Sequence, residues 1–115
     1  MTAPVLRVRF FRTEHGTEPV REWLKTLGPA DRRAIGEDVK TVQFGWPLGM
    51  PLVRKMSKDL WEIRIHLDNR IARILFTVNG GCMVLLHGLI KKSAKTPGAD
   101  LEVAVQRLKQ LRMTT

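Results

Sequence analysis

Trp61, Ile63, Ile65 and Leu67 alternate with Glu62, Arg64 and His66. A period of two predicts a strand with one buried face. Ile71 to Val78 forms a second apolar-rich run after the break Asp68-Asn69, whose two residues both tolerate the positive φ of a tight turn. If the runs pair across a two-residue turn, Leu67 faces Arg70 and Arg64 faces Arg73. Glu62, Arg64, His66 and Arg73 then share one face, while Ile63, Ile65, Ala72, Ile74 and Phe76 share the other, which must be the core. Directly opposed like charges are unfavourable by roughly 0.2 to 1 kcal/mol. Glu62 can relieve part of this as a diagonal neighbour. On this register Arg73 lies off the core, so Arg73→Ala is expected to leave stability level.

The rest of the chain frames this hairpin. Leu6, Val8 and Phe10 alternate with Arg7 and Arg9, an N-terminal strand. Val20, Trp23, Leu24 and Leu27 form one helical stripe, with Thr17 as its expected cap and Pro19 in its first turn. Gly28-Pro29 ends that helix and begins a second, which carries Ile35, Val39 and Val42 inward and ends near Gly45. "LVRKM" is a candidate short strand. "NGG" at 79–81 signals another hairpin, and "CMVLLHGLI" is apolar on both faces, as a central strand would be. A turn at Asn79-Gly80 or Gly80-Gly81 puts Val84, Leu86, Gly88 and Ile90 on the Arg73 face, with Lys92 at the exit, Lys91 and His87 turned away, and Gly88 leaving room beside Arg73. Leu101, Ala104, Val105, Leu108 and Leu111 make a last helical stripe, capped by Asp100. The expectation is an α+β fold in the order β-α-α-β-β-β-α. An antiparallel sheet of about four strands carries two N-terminal helices and one C-terminal helix in a single domain over residues 1–115.

Charge narrows the partner class. Twenty Lys and Arg against eleven Asp and Glu give +9 and a sequence pI near 10.6 in 115 residues. Such a balance favours a polyanion such as nucleic acid. No stretch is apolar and long enough to span a membrane, and the N-terminus lacks the apolar run of a signal peptide. Cys82 stands alone among apolar neighbours, which fits a buried thiol in a cytoplasmic protein. His15, His66 and His87 show no metal-ligand spacing, so neither metal nor cofactor is expected.

The sheet half, "PLVRKMSKDLWEIRIHLDNRIARILF…VLLHGLIKKSAKTP", followed by the A-x-x-R helix from Ala104 to Arg107, resembles the HigB branch of the RelE/HigB toxins over about residues 50–110. The resemblance implies the toxin of a type II toxin-antitoxin system: a metal-independent endoribonuclease that cuts mRNA on the ribosome. It also implies a cognate antitoxin, often of helix-turn-helix type, that neutralises the toxin. Carried over onto this chain, it implies Glu62, Arg64, Arg73 and Lys92 as catalytic residues, with Lys55, His66, Lys91 and Lys95 as RNA contacts. Many relatives have a tyrosine near the C-terminus; this chain has none.

The chemistry is consistent on its own terms. Metal-free RNA cleavage uses the 2′-hydroxyl as nucleophile and needs a base, a cation on the phosphorane and an acid for the 5′-oxygen. Glu62 is the only carboxylate on the expected face, hence the candidate base, with His66 as a candidate acid. Trp61 lies on the core side and reads as packing. A competing reading from another class is a noncatalytic nucleic-acid-binding or regulatory module on the same fold.

Overall fold

A computed structural model of the chain describes residues 3–114. Arg7–Phe10 forms β1, Pro19–Lys25 α1, Pro29–Gly45 α2, Val53–Ser57 β2, Leu60–Leu67 β3, Arg70–Asn79 β4, Cys82–Lys91 β5 and Gly98–Met113 α3. The sheet runs β1-β5-β4-β3-β2. It therefore has five strands rather than about four, because Val53–Ser57 closes its far edge. It is also mixed rather than antiparallel, since β1 lies parallel to β5. Tight turns force the other strands antiparallel, whereas β1 is joined to them through two helices and is free of that constraint.

Proline starts α1 and α2, where its missing N–H costs nothing. Two expected caps are elsewhere. Glu18, not Thr17, precedes α1, and the Thr17 hydroxyl lies 2.7 Å from that of Thr13. Pro97 precedes α3, and Asp100 sits in its first turn with its carboxylate on His87.

Each sheet face has its own core. Under α1 and α2 lie Ile63, Ile65, Ile74 and Met83, joined by Trp61 edge-on to Trp46 at 5.1 Å. On the other face Ala104, Leu108 and Leu111 of α3 cover Leu75, Val84, Leu86 and Leu89. Leu75 and Leu86 are fully buried. At roughly 1.5–3 kcal/mol for each such side chain, this smaller core suffices to fix α3 across the face that carries Glu62 and Arg73. Cys82 is buried there, as expected.

The β3–β4 hairpin has the expected register, with Leu67 opposite Arg70 and Arg64 opposite Arg73, and Asn69 at φ 55° in the turn. The β4–β5 turn is Gly80-Gly81, with φ of 58° and 75°. That pairing then breaks. Phe76 faces Leu85 but Leu75 faces His87, so Leu86 is an extra residue in a bulge. Beyond it the parity reverses. His87, Leu89 and Lys91 lie on the Arg73 face, while Gly88 and Ile90 turn to the α1/α2 side, contrary to the alternation expected from the turn. Gly88 makes room for Trp23, not for Arg73.

Candidate functional site

Glu62 of β3 and Arg73 of β4 are diagonal neighbours on the α3 face, and Arg64 stands directly opposite Arg73. Burial is where the sequence reading fails. Arg73 is 0% exposed and Glu62 1% exposed. The Arg73 Nε lies 3.9 Å from Glu62 Oε1, an ion pair too long for a hydrogen bond. Burial, the largest influence, pushes the Arg73 pKa down; Glu62 opposes this and Arg64 reinforces it. Two guanidinium groups beside one carboxylate leave an excess of positive charge where solvation is lost. Such an arrangement is costly unless the remaining donors are met.

The segment Lys92–Pro97, between β5 and α3, provides the cover. The Ser93 carbonyl accepts from Arg73 Nη2, and the Ala94 carbonyl accepts from Arg64 Nη2 at 3.1 Å. The Thr96 hydroxyl donates to Glu62 Oε2. Even so, Arg64 Nε and Arg73 Nε and Nη1 are buried without a hydrogen-bond partner. Three unmet donors around one carboxylate are the features of an anion site, since guanidinium forks match phosphate oxygens.

The other expected residues divide. Lys91 pairs with Ile71 and so joins the site face through the bulge. His66 pairs with the same Ile71, is exposed at the strand end, and acts electrostatically on Asp38 of α2. Lys92 lies past the end of β5 and, like Lys95, is an exposed residue of the covering segment rather than part of the sheet. Lys55 does not join the site. It pairs with Trp61 and shares the opposite face, whereas Arg54 pairs with Glu62 and is exposed on the site side. Arg54 was legible in principle: Val53 must point into the core, which sends its neighbour to the other face.

His87 is not a core histidine on the far side. Its Nε2 donates to Asp100 Oδ1 at 2.7 Å, and Arg107 Nη1 lies 3.3 Å from its Nδ1. The same Arg107 Nη1 donates to the carbonyl of the bulged Leu86 at 2.8 Å, and the guanidinium stands 6.0 Å from the Phe11 ring centre. Burial lowers the Arg107 pKa. Arg107 thus serves the carbonyl at the bulge and ties α3 to β5. We expect Arg107→Leu to lose about 1–3 kcal/mol, the cost of leaving such a carbonyl unmet. A urea midpoint equal to that of the wild type would refute this bracing role.

Among the described residues no group of three or more His, Cys, Asp or Glu is arranged to hold a metal ion, and no helix is long and apolar enough to cross a membrane. Residues 22–109 match the family model of the phage-derived protein Gp49-like family (DUF891). No curated protein matches the chain.

Proposed function

Because the chain belongs to the Gp49-like family of phage-derived proteins, we propose that it is a toxin of RelE/HigB type: a metal-independent endoribonuclease that cuts mRNA on the ribosome. The observation that carries this reading is the buried Glu62 beside two arginines, of which Arg64 Nε and Arg73 Nε and Nη1 lack partners. A carboxylate weakens a site meant only to bind phosphate, yet a cleavage site requires a base there. The motif that resembles HigB lies almost wholly within the matched residues.

In this reading Glu62 takes the proton of the 2′-hydroxyl, and the 2′-oxygen attacks the adjacent phosphorus. Arg73 and Arg64 meet the charge that grows on the non-bridging oxygens. The bond to the 5′-oxygen breaks, leaving a 2′,3′-cyclic phosphate and a 5′-hydroxyl. The proton for the 5′-oxygen comes from water or from a group of the ribosome, because His66 stands four residues from Glu62, roughly 13 Å along β3. Arg54, Lys91, Lys92 and Lys95 hold the backbone of the RNA, and the ribosome orients it, which lessens what the protein must supply. The net charge of +9 suits an acidic antitoxin as well as RNA, since complementary charge speeds association. The partner is a cognate antitoxin, of helix-turn-helix type in this reading, encoded beside the toxin.

Induction in cells with and without the neighbouring reading frame tests the proposal. We expect growth arrest only without it, together with new mRNA 5′ ends that carry hydroxyl groups and fall within translated regions. The burial of Glu62 and Arg73 beneath Lys92–Pro97 favours one alternative, a noncatalytic nucleic-acid-binding module. Arrest without new 5′ ends would select it.

A further inference from the structure

Glu62 and Arg73 are shut off from solvent by residues that imitate what the proposed substrate would bring. A ribonucleotide at this site offers phosphate oxygens to the arginines and a 2′-hydroxyl to the carboxylate. The covering segment offers the Ser93 carbonyl to Arg73, the Ala94 carbonyl to Arg64 and the Thr96 hydroxyl to Glu62. Acceptors meet the guanidinium groups and a hydroxyl donor meets the carboxylate, in the same pairing. We propose that Lys92–Pro97 is a strap that occupies the site as an internal stand-in for RNA, and that a phosphodiester displaces it.

The strap is built to lift. Lys92, Ser93, Ala94 and Lys95 are exposed and Thr96 is half-buried, so raising them removes little apolar area from the core. Its contacts with the site are polar and can be exchanged one for one with those of a nucleotide. Its two ends are held independently. β5 is paired with β4 as far as Lys91 opposite Ile71. α3 is pinned just beyond the strap by Asp100 on His87 and by Ala104, Leu108 and Leu111 in the second core. Pro97, whose carbonyl accepts from the N–H groups of Asp100 and Leu101, stays with α3, so motion is confined to Lys92 through Thr96. Carbonyl dipoles also satisfy guanidinium groups less well than a full anion does. The three buried guanidinium nitrogens that the strap leaves unmet give a phosphate its advantage. Lys92 and Lys95 move with the strap and would add two cations beside the incoming backbone. The identity of the competitor rests on the RNA-cleaving reading; the closure rests on the contacts alone.

Thr96→Val tests the strap, because it keeps the side chain's shape and removes the hydroxyl on Glu62. Brief trypsin digestion of the native protein, followed by mass spectrometry, reads cleavage after Lys92 and Lys95. That rate follows the open population when opening is fast. Loss of one hydrogen bond to a charged group should raise it about ten- to hundredfold, with Thr96→Ser close to wild type. The probe for the vacated site is a thymidine dinucleotide, which carries one phosphodiester and no 2′-hydroxyl. Its dissociation constant should fall by the same factor as opening rises, because a closed strap lowers apparent affinity by the fraction open. Melting curves confirm that each variant is folded; if Thr96→Val fails to fold, Thr96→Ala carries the same expectation. Equal digestion rates in wild type and variant would overturn the strap. Faster digestion with unchanged or weaker dinucleotide binding would overturn the competition. If both strap measurements hold while wild-type induction yields no new mRNA 5′ ends, the strap stands and the ribonuclease reading falls.

Discussion

On the proposed ribonuclease reading, Arg73→Ala is expected to cleave mRNA about 10²- to 10³-fold more slowly, the usual effect of removing one preorganised donor to transition-state charge, and so to lose growth inhibition. It is also expected to lose about 3 kcal/mol of stability, as when one partner of a buried ion pair is removed. The second figure reverses the expectation from sequence, which left stability level. Arg73 is not at the surface: it is wholly buried, and its loss leaves Glu62 buried beside a cavity. The two effects must be separated, since an unfolded protein is also harmless. The double replacement Glu62→Gln with Arg73→Met does this. It fills the space and removes both ions, and well-packed neutral substitutes for buried ion pairs are often as stable as the pair. The double variant should therefore melt above Arg73→Ala and still be harmless. Full growth arrest by that variant would eliminate the site. Arg73→Lys should recover activity only in part, because an ammonium lacks the planar fork.

Gly88→Ala should destabilise the protein by about 1–3 kcal/mol, the range for overpacking a filled core. A Cβ at Gly88 would overlap both Cε3 and Cζ3 of Trp23. An indole cannot bend aside at one edge, so the whole ring must leave its seat on β5. The clash belongs to one pair, which makes it testable by a cycle. Trp23→Leu costs stability alone, but Gly88→Ala should then add little, leaving a coupling of about 1 kcal/mol or more. Additive losses from chemical denaturation would show that the ring is not seated on Gly88. The result also bears on the site, because Gly88 can face Trp23 only if the Leu86 bulge has reversed the strand.

What the sequence determined by itself is local. Period-two alternation between Trp61 and Leu67, with Asp68-Asn69 as the turn, suffices to set Arg64 opposite Arg73, since a slip of one residue would turn every apolar side chain to the wrong face. The stripes of the three helices and the prolines that start α1 and α2 are likewise written in neighbouring positions. Tertiary structure decided the rest. "CMVLLHGLI" is apolar on both faces, so its pattern cannot show where an extra residue enters. The bulge at Leu86, served by Arg107 from a helix twenty-one positions later, sends Lys91 and His87 to the site and Gly88 away from it. The parallel pairing of β1 with β5 depends on packing across two helices, not on a turn. Burial of Glu62 and Arg73 is the largest departure. Alternation tells which side of a strand a residue occupies, but the packing of α3 and the path of Lys92–Pro97 across that side decide whether water reaches it.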